Sequence, residues 1–447
     1  MINTKKIRKF FPAIKSGRIV SNNAASTQVP VQLLELLKQL VVQYDNIHRG
    51  QSQSSLLTTE KFESSYDTIA QFIGAPSRKN IILYRNTTEA INAVMYSLMT
   101  EFRDGDNVVT TFMEHNSNYV PWYGLSKEIL PHFGIKVECR IARFNKETGQ
   151  LDLNHLKSLV DERTKLVCCV GASNFLGTKN PIKKIRAIAD ASGYLQPNGE
   201  NKSYLLIDGA QAVPNFFVRV DDLGVDFLAW SFHKMLAPFG VGALYAREEL
   251  LNSLRPFLYG GDMIAEGKVS PEKVEYNSLP WKFTAGTPNI LGTILSAQAI
   301  RLLMDFSLTP GKFSYFMTEK KLEPPDVAKA MNNIEAHEKE LIGEALKILE
   351  GIPSLDIYGP KNPEDRTSLV AFSCKCKSPF EIAEELNKLG VESRAGCHCA
   401  TLAHHDYELD PPASCRLSFY IYNNLEDVRK ACFAVKKCVQ SEEDLIF

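Results

Sequence analysis

The sequence predicts an α/β protein: a large domain on a mostly parallel sheet covered by helices, then a smaller α+β C-terminal domain. Three observations predict it. Between residues 80 and 250, short apolar runs alternate with stretches whose apolar residues recur at three- and four-residue steps. The runs are apolar throughout rather than at every second position, as strands buried on both faces are. Beyond residue 255 this rhythm gives way to glycine- and proline-punctuated sequence and then to a second, smaller set of elements.

Taken in order, the strand candidates are NIILY (80–84), NVVTT (107–111), KLVCCVG (165–171), YLLID (204–208), DFLAW (226–230) and VGALY (241–245). Helical patterns lie between them, as at residues 88–98 and 181–191. A helix is expected over 291–306, an inserted loop over 307–331, where Pro310, Gly311, Pro324 and Pro325 stand among polar residues, and a strong helix over 333–349. Two further strands are expected at 354–358 and 368–373, which divides the chain into domains at 1–306 and 307–447. Tyr420 and Tyr422 alternate as in a half-buried strand. DYELDPP (406–412) reads as a loop, Cys432 and Cys438 fall in a C-terminal helical pattern, and Trp122, Trp230 and Trp281 read as packing residues.

Composition limits the function classes. A chain of 447 residues buries a full core without metal or disulfide staples. With 51 Lys plus Arg against 52 Asp plus Glu, the formal net charge is −1, which gives no field for nucleic acid or an anionic membrane. Ten cysteines are too dilute for a disulfide scaffold, and Cys168 and Cys169 read as small buried hydrophobes, so a reducing compartment is expected. No apolar run is read as approaching the roughly 20 residues of a membrane span. The basic N-terminus has no acid before Glu35 and faintly resembles a transit peptide, but it lacks an apolar h-region; a cytoplasmic location is expected.

In open α/β sheets, functional side chains collect just past the C-terminal ends of strands. Asp208 ends YLLID there, where an unpartnered carboxylate is costly. DFLAW runs into Ser231-Phe232-His233-Lys234 and the turn PFGVG. NIILY runs through Arg85 and Asn86 into Thr87-Thr88-Glu89, a helix start suited to a phosphate. A lysine, an acid and a phosphate-holding helix start are the parts a pyridoxal phosphate site needs. Each alone has a plainer reading as a cap, a turn residue or a solvated amine; their joint occurrence in this order carries the signal.

Ten segments extend it: AAS (24–26), HRG (48–50), RNTTEAIN (85–92), MEHNSNYVPW (113–122), SNFLGT (173–178), DGAQAV (208–213), SFHK (231–234), FTAGTPN (283–289), RAGCHCA (394–400) and CRLSFYIYN (415–423). On these motifs the chain resembles the class V aminotransferases of PLP fold type I, in the compact-loop group of the cysteine desulfurase and selenocysteine lyase branch. The resemblance spans about residues 20–430. It implies that Lys234 binds the cofactor covalently, Asp208 partners its pyridine nitrogen and His115 stacks on its ring and assists proton transfer. It further implies that Asn174 and Gln211 contact the cofactor's oxygen or ring edge, while Thr88, Ser231 and His233, with Thr87 beside them, hold its phosphate. Thr287 would reach the cofactor phosphate of a partner subunit, so a homodimer is expected. Arg394 would take the substrate carboxylate, with Arg416 as a second positive group. Residues 1–30, with His48 and Arg49, are expected to lie near the cofactor.

The reaction turns on RAGCHCA. Cys399 stands where the desulfurases keep their nucleophile, and Arg394 and His398 are placed to favour the thiolate. The implied activity is conversion of L-cysteine to L-alanine with a persulfide on Cys399, for delivery to a small sulfur-acceptor protein and iron–sulfur cluster assembly. Selenocysteine as substrate, or another class V lyase, epimerase or aminotransferase reaction, uses the same cofactor frame. Reading Cys374-x-Cys376, Cys397-x-Cys399, His398, His404 and His405 as metal ligands leaves Lys234 and Asp208 without a purpose, so no metal is assigned. The compact-loop pattern is commonly His-His-Cys, whereas this chain has Cys397-His398-Cys399. Cys397 is open to two readings: a second sulfur carrier or disulfide partner, or a neutral loop variant.

Overall fold

The protein is described by a computed structural model covering residues 2–439. Among those residues the central sheet has seven strands, in the spatial order Ile81–Tyr84, Gly242–Ala246, Phe227–Ser231, Tyr204–Asp208, Thr164–Val170, Asn107–Thr111 and Glu138–Ala142. Pairing is parallel from Phe227–Ser231 outward to Glu138–Ala142. Gly242–Ala246 runs antiparallel to both of its neighbours. The C-terminal ends of the strands ending at Tyr84, Thr111, Val170, Asp208 and Ser231 therefore share one edge, the edge where α/β sheets place their sites.

The sheet is buried on both faces, which is why its strands read as continuous apolar runs. Val109, Val167, Cys169, Ile207 and Trp230 point into one core, and Val108, Leu166, Cys168, Leu206 and Ala229 into the other. Cys168 and Cys169 thus lie fully buried in opposite cores, as small hydrophobes. Trp122 and Trp230 are fully buried too, and Trp281 packs against His48, Phe62 and Tyr66. The edge strand Glu138–Ala142 was not anticipated: Glu138 and Arg140 interrupt the apolar residues of ECRIA and only Ala142 is buried, so it carries no unbroken apolar run.

Several boundaries differ from expectation for identifiable reasons. The insertion is shorter than 307–331, because one helix runs Ile290–Leu308 and the next begins at Pro324. Pro324 and Pro325 occupy the first helical turn, where a missing N–H costs nothing, so these prolines start the Pro324–Leu349 helix instead of breaking it. The Ile290–Leu308 helix is, contrary to expectation, long and apolar enough to cross a membrane by length and composition. Nearly all of it is buried, packed among the Val31–Gln43, Gln53–Ile73 and Pro324–Leu349 helices, so it serves as a core helix. Tyr420 and Tyr422 lie past the end of the Ser414–Ser418 strand and are fully buried: Tyr422 Oη donates to Asn23 and accepts from the Gln28 N–H.

The C-terminal segment forms an antiparallel sheet in the order Leu355–Tyr358, Leu369–Cys374, Ser414–Ser418, Arg394–Gly396, with its own apolar core. Cys374 and Cys376, weighed above as metal ligands, are joined by a disulfide at one end of it. The N-terminal segment ties the two sheets together. Ile19–Val20 pairs with Val391–Glu392, Arg8 bonds Asp427, and residues 24 and 25 reach the functional edge of the large sheet.

Candidate active site

A cavity of about 230 Å³ opens at the shared strand edge, beneath the small sheet. Asp208, Lys234, Ser231, His233, Thr87, Thr88, His115, Asn174, Gln211, Arg394 and Arg416 all line it. Two of the expected residues do not. Thr287 is exposed in a separate groove with Arg85, Phe257 and Asn289, and Cys399 stands at the rim on the side of Arg394. His48 and Arg49 also lie elsewhere: His48 packs at a tilt against Trp281 beside Glu63, and Arg49 pairs with Asp262.

The floor comes from strand ends. Asp208, 1% exposed, accepts a hydrogen bond from the Ala210 N–H, and burial raises its pKa despite Lys234. Burial pushes the Lys234 amine down to about 8, against the pull of Asp208 and with help from Arg416 and Arg394. The Ser231 hydroxyl lies 2.7 Å from Thr87 Oγ1 and accepts from the Thr87 N–H. That approach depends on Gly242, where a Cβ would fall 2.5 Å from the Asn86 backbone. His233 Nδ1 meets Ser26, and Thr88 Oγ1 lies 2.6 Å from the Ser117 hydroxyl.

His115 faces this floor from the loop after Asn107–Thr111. Its Nδ1 accepts from the Ser117 N–H, so a neutral ring carries its proton on Nε2. Burial, with the charges of Lys234, Arg394 and Arg416, pushes its pKa down to about 3. Buried Glu114 anchors that loop, accepting from Thr111, Asn118 and the Val170 N–H; burial holds its pKa up at about 8. Neither Glu114 nor Ser117 was anticipated, although both sit inside the MEHNSNYVPW motif.

The small sheet supplies the roof. Arg394 and Arg416 face each other in register across antiparallel strands, an unfavourable pairing of like charges unless an anion joins them. Burial and Arg394 push Arg416 down to about 9, and its Nη1 donates to the Asn174 carbonyl. Beyond Gly396 the chain turns sharply, with the Ala400 N–H bonded to the Cys397 carbonyl and both His398 and Cys399 in the left-handed region, at φ 51° and 56°. The Asn174 amide holds the His398 carbonyl at 2.7 Å, and the Asn116 N–H holds the Cys399 carbonyl at 2.6 Å. Arg394 Nη2 lies 4.0 Å from Cys399 Sγ. His398 differs from expectation: it is buried, its pKa lies well below the usual imidazole range, and its Nε2 is bonded to Ser414. A neutral ring bonded to Ser414 brings no positive charge to Cys399; the cation beside its sulfur is Arg394.

The pattern of the family described as aminotransferase class-V matches residues 19–312 and 327–430. The chain belongs to that family. It is 36% identical to a cysteine desulfurase of Haloferax volcanii over 93% of this chain and 88% of that one. It is 33% identical to a cysteine desulfurase of Escherichia coli O9:H4 over 95% of each. Its fold matches the apo structure of a cysteine desulfurase from Thermococcus onnurineus NA1 with a TM-score of 0.84 and 28% identity, over 98% of both chains.

Pyridoxal phosphate is the cofactor of this family, and the residues present fit it. Hydroxyls and N–H groups at the Thr87–Leu98 helix start suit a phosphate, and a buried carboxylate and amine stand in the same cavity. Asn174 Oδ1 and Arg416 Nε are buried without a hydrogen-bond partner among the described residues, as expected of groups whose ligand is small and polar.

Proposed function

We propose that the protein is a cysteine desulfurase: it converts L-cysteine to L-alanine and retains the sulfur as a persulfide on Cys399. The observation that carries this reading is the approach of Cys399 Sγ to Arg394 at the rim of a cofactor cavity, where a transaminase has no use for a thiol.

Arg394 and Arg416, opposed in register, take the substrate carboxylate between them and relieve their own repulsion. Asp208 would hold a positive charge on the cofactor's ring nitrogen, and the helix start at Thr87 and Thr88, with Ser231 and His233, would take its phosphate. The cofactor, when bound, supplies the electron sink that labilises the bonds at the substrate's α- and β-carbons. Lys234, with its amine near 8, and His115, neutral throughout the physiological range, move protons at the α-carbon and at the departing side chain. The Cys399 thiolate, beside Arg394, attacks the substrate sulfur. The Cβ–S bond breaks, a sulfur–sulfur bond forms on Cys399, and a proton completes the methyl group of alanine.

Thr287, exposed and outside this cavity, suits the cofactor phosphate of a second subunit, which makes the working form a homodimer. The persulfide is passed to a small acceptor protein in the cytoplasm, in service of iron–sulfur cluster assembly. The test is alanine formed from L-cysteine by the cofactor-loaded protein with a reductant, beside Cys399→Ala. Alanine from the parent alone supports the reading; none from either, with a normal cofactor spectrum, overturns it.

A further inference from the structure

Two thiols flank the turn at the roof, and the desulfurase reading uses only one of them. Cys397 and Cys399 are both partly exposed, while His398 between them is 1% exposed and bonded inward to Ser414. The turn therefore buries its middle side chain and leaves both sulfurs where they are reached from outside. It is held in that form at three points: the Ala400 N–H on the Cys397 carbonyl, Asn174 on the His398 carbonyl and Asn116 on the Cys399 carbonyl. His398 and Cys399 are both held in the left-handed region, which non-glycine residues disfavour, so the turn is kept in this form against local preference. The same C-x-C spacing brings sulfurs into bonding reach elsewhere in the chain: Cys374 and Cys376, 5.3 Å apart at Cα, form a disulfide.

The two positions differ in their surroundings. Cys399 is the thiol near the guanidinium of Arg394, its Sγ 4.0 Å from Nη2. Cys397 directly follows the Arg394–Gly396 strand, two residues before Cys399, and like Cys399 it is partly exposed. Resting on the desulfurase reading, we propose that Cys397 is a second sulfur carrier: it takes the outer sulfur from the Cys399 persulfide and is the thiol from which sulfur leaves the protein. In this step the Cys397 thiolate attacks the outer sulfur of Cys399–S–SH. A new sulfur–sulfur bond forms on Cys397, the old one breaks, and Cys399 departs as a thiolate, ready for the next substrate. One sulfur moves, the proton follows it, and no oxidant or reductant is consumed.

The experiment is a single turnover of the cofactor-loaded protein with L-cysteine, quenched at intervals by alkylation and mapped by peptide mass spectrometry, with alanine measured in the same samples. The expected result is a persulfide first on Cys399 and then on Cys397. In Cys397→Ser the alanine burst persists, the second species is lost, and the Cys399 persulfide survives added dithiothreitol roughly tenfold longer. Alanine with the persulfide confined to Cys399 in the parent protein overturns the relay and leaves the desulfurase intact. A Cys397–Cys399 disulfide formed with release of sulfide also overturns it, because attack then falls on the inner sulfur. No alanine from the parent protein overturns the desulfurase reading, and the relay with it.

Discussion

The floor and the roof of the cavity are built by opposite means. Asp208, Ser231 and Lys234 stand at or just past the ends of strands in a sheet buried on both faces, so the backbone ladder and two apolar cores fix where they point. Cys399 and Arg394 stand on a three-residue strand and a turn in the left-handed region, fixed by a few hydrogen bonds from Asn174, Asn116 and Ser414. Losing one contact in the floor leaves its geometry determined many times over. Losing one in the roof releases the residues proposed to meet the substrate.

The largest effect is expected where chemistry rather than geometry is removed. Lys234→Ala should abolish cofactor attachment and lower alanine formation by several orders of magnitude, read from the absorption of the loaded protein and from the assay, without loss of fold. Next comes the roof. Ser414 bonds both His398 Nε2 and His404 Nε2, and His404 in turn stacks on Phe175. Ser414→Ala leaves two buried imidazole nitrogens unpaired, a cost of about 1–3 kcal/mol. A tenfold to hundredfold fall in alanine formation with an unchanged cofactor spectrum would place the whole loss in the roof. A lost cofactor would show that floor and roof are not separable.

A third prediction probes the floor through pH. In the proposed site Lys234 would react with the cofactor's aldehyde as a free amine, and burial has brought its pKa down from 10.5 to about 8. Below that pH the reactive fraction rises about tenfold per pH unit, and above it the fraction is constant. Reassembly of the apoprotein with pyridoxal phosphate should accordingly accelerate up to about pH 8 and then level off. A rate still rising towards pH 10.5 would show an amine in ordinary solvent. His115, held down at about 3, contributes no step to this profile between pH 5 and 9.

The same contrast governs what the sequence reveals. Strands buried on both faces write themselves as unbroken apolar runs, so the sheet, the positions of Asp208 and Lys234 and the helix start at Thr87 are all legible. The edge strand at Glu138–Ala142 is not, because only one of its residues is buried. Pro324 and Pro325 read as breakers because a proline's meaning depends on whether it precedes or interrupts a helix. The roof is the least legible part. RAGCHCA marks where the thiol lies, but that His398 turns inward depends on Asn174, Ser414 and Asn116, residues far away in the chain. Spacing along the sequence carries no trace of those contacts.

The smallest effect is expected from the other C-x-C pair. Cys374 is buried at the end of the Leu369–Cys374 strand, whereas Cys376 is exposed, and neither lines the cavity. A bridge between residues two apart closes a very short loop, and such loops restrict the unfolded chain little; the expected loss in Cys376→Ser is about 1–2 kcal/mol of stability. The opposite end of that strand, at Leu369, is held by the Arg366 guanidinium on its carbonyl, and that contact is untouched by the substitution. Alanine formation should stay at the parental level while the denaturation midpoint falls slightly. An equal loss of alanine in Cys376→Ser and Cys397→Ser would mean that the small sheet transmits strain from its far end to the roof, and the division between floor and roof would then have to be redrawn around the whole small sheet.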